Sequence, residues 1–518
     1  MSVRLGDGGH PPIRVAQRVV PRPVAGGGQR VRIFDLSSDV VRVGPYGAVP
    51  EPPPPPPPAP ERCHTLAEFR WALAQRLYEA TQAPAPMQFW NPEELDVYIR
   101  EALQTFNACA YYFRQEFTFS TVAGQPWYDI TKEPRSLRPL TTVDFDLISQ
   151  IEYHLLEPQT PEYPLHWRGS KQFDLDDILR AIEQSRDQTL SESGCTVNQS
   201  LVPAVPGRTY LDASVMDIRR LSWIPNRYQR QFTPNVVMPS DLWATQSFNA
   251  LFPQRGPGTP LLYRRTSSPP FSFDVDIEPA VNGDWDILTT NTNGRLSREA
   301  FKLIPVPDDW CHVVKYGALA QLFGRESCAK DTLREDYALK RWKQGLAMMQ
   351  TAPALLAARI DNVPVIVDAM SNGDFYDANW QGKKHARPKK IYYSGLNMLG
   401  LSPIPDRVYS VTAPVICNMP LPYDEEDCIE VGRDDFFAIL DLAQHIAMLK
   451  LGGAEFQATF PLYANFLRHC ALYNSKLNAM SLWREWMDQR PQEEIKVNPI
   501  FSPTADPVKL QNGGASGG

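Results

Sequence analysis

Apolar positions first fall into a helical rhythm after residue 64. Leu66, Phe69, Leu73 and Leu77 line one face behind Thr65-x-x-Glu68, the spacing of a capping box. A second helix is signalled by Asn91 as cap, Pro92 in the first turn and Glu94 closing the box. Leu95, Ile99, Ala102, Leu103 and Phe106 follow on one face. Beyond Tyr111-Tyr112-Phe113-Arg114 the period shortens. Phe117, Phe119 and Thr121 alternate into a turn at Gly124, and Trp127-Tyr128 resumes a strand. The pattern predicts a helix followed by a β-hairpin.

The same signals return 83 residues later. Trp90-Asn91-x-x-Glu94-Leu95 matches Phe173-Asp174-x-x-Asp177-Ile178, and Ile99 matches Ile182. Val122-Ala123-Gly124 meets Val205-Pro206-Gly207, and Trp127-Tyr128-Asp129 meets Tyr210-Leu211-Asp212. A constant offset through cap, helix face, turn glycine and strand predicts a duplicated module, with 88–130 and 171–213 alike in backbone.

Residues 215–305 carry short alternating runs, notably Phe271–Ile277 and Asp284–Leu288, and read as strands and loops. Helical spacing resumes at Asp308, with Trp310, Val313, Val314, Gly317 and Leu322 on one stripe and Leu333, Tyr337, Trp342 and Leu346 on the next. A fainter echo lies 126 residues on, where Asp434-Asp435-Phe436 answers Asp308-Asp309-Trp310 and Tyr463-Ala464 answers Tyr337-Ala338. Between the two helical pairs, 353–425 is β-rich, with Val363–Val367 as a buried strand.

Composition adds long connections to this picture. Proline numbers 49 among 518 residues, about 9% against a usual ~5%. Pro52–Pro58 is an unbroken run held near polyproline II, a stiff spacer or, less simply, a ligand for a proline-binding domain. Ahead of it, Val31–Leu36 alternates in a way that suits addition to a neighbour's sheet edge, so residues 1–62 read as an arm reaching another subunit. The tail beyond Asn498 ends Gly-Gly-Ala-Ser-Gly-Gly and reads as extended or disordered.

Fifty-two basic against 59 acidic residues leave a net charge of −7. That balance excludes a general nucleic-acid coat and leaves room for a local basic patch. No apolar run approaches the ~20 residues of a membrane helix, and Met1–Gly28 lacks the apolar core of a signal peptide. The expectation is a protein with no membrane partner that does not use the ordinary export route. Eight scattered cysteines (Cys63, Cys109, Cys195, Cys311, Cys328, Cys417, Cys428, Cys470) include no CxxC. They read as free thiols from a reducing compartment.

Candidate chemistry is sparse. Cys63-His64, Cys311-His312 and His469-Cys470 are adjacent pairs, and neighbouring side chains do not converge on one ion. No phosphate-binding loop, GxSxG elbow or HExxH helix occurs, and Gly26-Gly27-Gly28 lies in the arm. Asp424-Glu425-Glu426-Asp427 reads as a solvated loop, whereas Asp308-Asp309 and Asp434-Asp435 sit where carboxylates cap helices. One basic cluster stands out: Lys383, Lys384, Arg387, Lys389 and Lys390, with His385 among them. Placed between β segments at Phe375–Trp380 and Ile391–Tyr393, it predicts a hairpin tip that would face the bore if the protein ringed DNA. No metal, cofactor or catalytic residue is expected.

A family resemblance rests on particular residues. Thr65-Leu-Ala-Glu-Phe, Phe89-Trp90, Glu93-Glu94-Leu95-x-x-Tyr98-Ile99-x-Glu101-Ala102-Leu103 and Phe117-x-Phe119-x-Thr121-Val122-Ala123-Gly124-Gln125-x-Trp127-Tyr128 resemble the N-terminal half of tailed-phage head–tail adaptor proteins, also called connector, collar or neck proteins. Leu303–Trp310, Tyr316–Ala320 and the helix through Arg334, Tyr337 and Arg341 resemble that family's closing helical pair. The likeness spans about 64–350 discontinuously, and the chain exceeds the family's usual size.

The resemblance implies a non-enzymatic virion protein at the neck, assembled in the host cytoplasm as a homo-oligomeric ring, usually of twelve copies. Its implied partners are the portal above, a tail or tail-terminator (nozzle) protein below, and genomic double-stranded DNA sliding through the channel. Other virion roles (tail tube, baseplate hub, capsid decoration) form the alternative, and a glycan-degrading tail enzyme is the remaining one. The expected fold is α+β, an adaptor-type helical bundle with β insertions, an internal duplication and extended arms. Its parts are an arm (1–62), a helical module with hairpin (63–170), a duplicated module with a β-rich segment (171–305), a helical pair (306–352), a β-rich insertion (353–425), a second helical pair (426–497) and a tail (498–518).

Overall fold

The first helix begins where its cap predicts. Thr65 Oγ1 accepts from the Glu68 amide while the Glu68 carboxylate takes the Thr65 amide, which starts α1 (Leu66–Arg76). A computed structural model of the chain describes residues 22–24, 28–30, 63–77, 89–131, 140–142, 145–155, 173–205, 208–225, 234–236, 257–265, 272–279, 281–292, 294–296, 303–326, 330–376 and 380–480. The proline run, Val31–Leu36, Cys328 and the C-terminal tail lie outside them. Within 1–62 only a short antiparallel pair, Arg22–Val24 with Gly28–Arg30, is described.

The described chain is mixed α+β, with a helical body and a curled seven-stranded sheet. The body is built around α2 (Pro92–Ala110), which Asn91 caps by accepting from the Glu94 amide at 2.7 Å. The Glu94 carboxylate interacts with the Asn91 backbone and also accepts from Tyr98 (2.5 Å) and Lys450 (2.8 Å), the cation that its burial requires. Leu95, Ile99, Ala102, Leu103 and Phe106 are all buried, and α2 is covered almost all round. Around it pack α3 (Phe145–Leu155), α4 (Leu175–Ser193), α5 (Cys311–Phe323), α6 (Thr332–Thr351), α8 (Arg433–Met448) and α9 (Phe460–Tyr473) in one continuous apolar core. A Cβ on Gly317 would overlap Ser185 Oγ, so that glycine sets how closely α5 approaches α4.

The curled sheet comes from distant parts of the chain. Its strands are β1 (Arg114–Ser120), β2 (Trp127–Asp129), β3 (Ala358–Ile360), β4 (Val363–Ala369), β5 (Lys390–Ser394), β6 (Met398–Ser402) and β7 (Ser410–Ile416). Their order is β1-β7-β3-β4-β5-β6-β2, antiparallel except for the parallel β4–β5 pair. Phe117 and Phe119 of β1 and Tyr128 of β2 share a core with Ile360, Ile391, Leu399, Leu401, Val411 and Val415. Both edges therefore face one interior, and Phe119 meets Tyr128 at 5.3 Å across the gap. The sheet is a barrel closed at its seam by side chains.

This arrangement corrects three expectations. The predicted hairpin is absent, because β1 pairs along its whole length with β7 and β2 pairs with β6. The loop between them spends its backbone groups elsewhere: Thr121 N donates to Tyr409 O and Gly124 N to Pro405 O. Val363–Val367 is a strand but not a buried one. Val365 and Val367 pack inward, while Val363 and Ile366 are 48% and 60% exposed. The described ends of Phe375–Trp380 are not strand either, since Phe375 and Tyr376 close a helix and Trp380 opens a 3₁₀ turn. The parallel β4–β5 pair requires a crossover, formed by α7 (Met370–Tyr376), a 3₁₀ turn at Trp380–Gly382 and the basic segment.

Residues 198–291 supply a second β unit, as the alternating runs predict. Asp284–Asn291 lies between Asn198–Pro203 and Val215–Ile224, and four short strands lie against that sheet over Trp223, Phe273, Trp285 and Ile287. The 83-residue offset persists in α2 and α4. Both are 19 residues long, both start from a side-chain cap, and both end in a left-handed residue, Tyr111 (φ 52°) and Gly194 (φ 59°). Their following strands differ in partners, β1 and β2 joining the barrel while Asn198–Pro203 and Thr209–Tyr210 join the second unit. Among the described residues, neither stretch pairs its own two strands with each other.

The cysteine expectation is also overturned in part. Cys63 and Cys428 form a disulfide, with Cα atoms 5.5 Å apart, where Cys63–Thr65 pairs antiparallel with Cys428–Glu430. A pair 365 residues apart has no local signal. Cys109, Cys195, Cys311, Cys417 and Cys470 are free and buried.

Candidate nucleic-acid interface

The barrel has two unlike ends. At one, the β5–β6 turn sits on the helical body. Leu396 N donates to Cys195 O at 2.6 Å, and the Asn397 side chain exchanges two 2.8 Å bonds with the Val197 backbone. Gly395 adopts φ +62°, where a side chain would also strike the Cys195 carbonyl. Ile416, at the end of β7, joins the helical core. This end is fixed.

The other end gathers four connections: the β1–β2 loop, the β3–β4 turn at Asp361-Asn362, the basic segment entering β5, and the β6–β7 loop through Asp406-Arg407-Val408. They are stitched together by Thr121 Oγ1 accepting from Tyr409 N (2.8 Å), Ser410 N donating to Asp361 Oδ1 (3.0 Å) and Ala386 N donating to Ile404 O (3.0 Å). Asp361 and Asn362 take positive φ, the backbone of a tight two-residue hairpin turn.

The five basic candidates separate by role. Lys383, Lys384 and Lys389 are exposed at this end, together with His385. Arg387 instead donates to Ile360 O at 2.5 Å, bracing the basic segment against β3. Lys390 is half-buried as the first residue of β5, opposite Ser402. The pattern of charges did not reveal Arg407, which is exposed and lies 5.2 Å over the Tyr409 ring. Asp406 accepts from Tyr409 Oη at 2.6 Å, and that bond, with Arg407 and His385 nearby, holds its carboxyl below the usual range. Exposed Val122, Val363 and Val408 stand among these groups. Four exposed cations against Asp361 and Asp406 give the tip a positive balance, suited to phosphate by charge and not to base reading.

A second set of charged groups is enclosed by the helical body. Lys315 and Glu101 form an ion pair with both side chains wholly buried, and Lys315 Nζ lies 3.4 Å from His154 Nε2. Burial pushes the Lys315 ammonium down to about 8 against the opposing pull of Glu101. Burial likewise keeps His154 and His445 well below the ordinary histidine range and His312 down to about 3. Arg341 donates to Tyr337 Oη (3.0 Å), which bonds His445 Nε2 (2.7 Å), and its guanidinium lies 4.4 Å from the Tyr463 ring centre. The residues of the faint 126-residue echo, Tyr337 and Tyr463, thus meet on one arginine. Glu101 and Lys315 were visible only as charges inside apolar runs, and both side chains are wholly enclosed.

The acidic pairs resolve into structure. Asp435 accepts from the Gly432 amide at 3.1 Å, the expected cap, and adds bonds from His469 and Tyr473, each at 2.7 Å. Asp309 departs from expectation. It accepts from Asn107 Nδ2 (2.6 Å) and Met419 N (3.1 Å), tying α2 to the chain after β7. Among the described residues no group of three or more His, Cys, Asp or Glu is placed to hold a metal, and no helix is long and apolar enough to cross a membrane. No protein-family model matches the chain, and no curated protein matches its sequence.

Proposed function

We propose that the protein is a structural virion component that forms a ring beneath the portal, joins phage head to tail and lines the DNA exit channel. It acts at the head–tail junction, after assembly in the host cytoplasm, and needs no cofactor. The observation that carries this reading is the polarity of the barrel. Its fixed end is built into a helical body, and its free end presents Lys383, Lys384, Lys389 and Arg407 on stitched loops. A rigid basic tip of this kind meets a phosphate backbone without reading sequence, as a channel for sliding DNA requires.

Three further features support the reading. The residues that resemble adaptor proteins fall on α1, α2, β1, β2, α5 and α6, where they form the central helix, the barrel seam and one helical pair. α2 and α4 match in length, capping and exit geometry, which favours an internal duplication whose strands have since taken different partners. Asp309 and Asp435 each hold two or more structural bonds, which favours a role as ties for these two carboxylates.

Co-sedimentation of the purified full-length protein with the portal ring of the same virus tests the proposal. Stoichiometric binding, lost on removal of residues 1–62, is the expected result. No binding at micromolar concentration overturns the neck assignment and points to a distal tail, baseplate or capsid-decorating component.

A further inference from the structure

Beyond the basic tip, the described cysteines divide sharply by location. Five are buried and free, whereas the bonded pair lies at the surface, with Cys428 exposed and Cys63 half-buried. The bond joins Cys63, three residues before α1, to the strand just before α8. Among the described residues, the other contacts that hold α1 in place are non-covalent. Leu66, Phe69 and Leu73 are fully buried, and the His64 ring stacks on Phe436 at 4.3 Å. Arg70 bridges Asp96 and Glu425, and Arg76 reaches Asp441. One covalent link therefore lies over a docked helix that also carries the root of the arm.

We propose that Cys63 and Cys428 form a reversible redox lock, open when reduced and closed when oxidised, that fixes α1 and the arm root to the body. Closure proceeds by thiol–disulfide exchange with a small disulfide. One cysteine thiolate attacks the small disulfide and expels one thiolate, giving a mixed disulfide. The second cysteine then displaces the other thiolate, so two protein thiols are oxidised and one disulfide is reduced to two thiols. The surroundings select the reagent. Residues 424–430 hold Asp424, Glu425, Glu426, Asp427 and Glu430, with Glu425 paired to Arg70. That field repels anionic disulfides and favours neutral or cationic ones. A chain assembled in a reducing compartment would thus keep its arm root releasable and become locked on leaving it.

The full-length protein, reduced with a trialkylphosphine and desalted, provides the test. It is oxidised in parallel with cystamine, which is cationic, and with oxidised glutathione, which is anionic, at equal concentration. Intact mass should fall by about two hydrogens, with Cys63 joined to Cys428 in the peptide map. Cystamine should react at least ~5-fold faster at low salt, and the ratio should approach one in high salt as the field is screened. Amide exchange in 66–76 should slow roughly tenfold on closure while that of 311–323 stays constant. Cys63→Ser and Cys428→Ser should each exchange like the reduced protein under both conditions. The inference is overturned if the two cysteines fail to pair, if exchange in 66–76 is the same in both forms, or if glutathione matches cystamine at low salt. None of these outcomes bears on portal binding, so the two proposals fail separately.

Discussion

The helical body and the barrel treat charge in opposite ways. The body encloses Glu101, Lys315, Arg341, His154 and His445 within its apolar core. The core shared by the barrel's strands is built from apolar and aromatic side chains, and Lys383, Lys384, Lys389 and Arg407 stand exposed at the tip. A buried charge is retained only with partners and is expensive to orphan, whereas an exposed one contributes little to folding. The contrast teaches which charges carry stability: those of the body hold it together, and those of the tip stand exposed to solvent.

The largest effect should come from orphaning the buried pair. Lys315→Met leaves Glu101 buried without its cation and should cost about 3–5 kcal/mol in urea unfolding. Adding Glu101→Leu should recover much of that loss, since an apolar replacement of both partners is often neutral. A single-variant cost below ~1 kcal/mol would erase the distinction between the two regions. Truncation in the barrel should follow packing instead. Phe119→Ala, which opens the seam against Tyr128, should cost about 3–5 kcal/mol, with the loss unchanged between pH 5 and pH 8.

Acidity sharpens the comparison next. His154, His312 and His445 are held neutral in the folded body, with His312 down to about 3, while the unfolded chain titrates near ~6.5. Between those values the unfolded state binds more protons, so stability should rise with pH from about 3 to ~6.5 and fall on acidification. Lys315, at about 8, adds a second rising window up to ~10.4. Asp286, where the barrel meets the second β unit, runs the other way. Burial raises it to about 6 despite bonds from Gln199 and Trp127, so its contribution is complete below ~4 and lost as pH rises through 6. Melting temperature against pH should show these slopes, and Asp286→Asn should remove only the last.

The smallest effect on folding should be at the tip. Replacing Lys383, Lys384 and Lys389 by Gln should leave stability within about 0.5 kcal/mol. If all three meet phosphates, the slope of log affinity for double-stranded DNA against log salt should drop by roughly 0.9 per lysine. Arg387→Gln should do the reverse, costing about 1 kcal/mol through its lost bond to Ile360 and leaving the salt slope alone.

What was legible in the sequence was local. Thr65, Asn91 and Asp174 mark helix starts because a cap and its amide lie within three residues, and the stripes behind them are buried as the spacing requires. The barrel was not legible as a barrel, because β1 pairs with a strand nearly three hundred residues away and alternation does not name a partner. Gly124 marks a turn, yet not whether the flanking strands pair with each other. The basic segment was legible as a cluster, but only the fold separates Lys383, Lys384 and Lys389, which face solvent, from Arg387, which braces β3. Asp309 looked like Asp435 for the same reason: adjacent carboxylates before an apolar helix do not disclose a tie to Asn107.

Electron cryomicroscopy of the protein bound to its portal ring tests the central claim most directly. A closed ring of copies is expected, with Lys383, Lys384, Lys389 and Arg407 of each barrel tip lining the bore and the helical bodies forming the wall. Tips pointing outward, or copies bound without closing a ring, would contradict it.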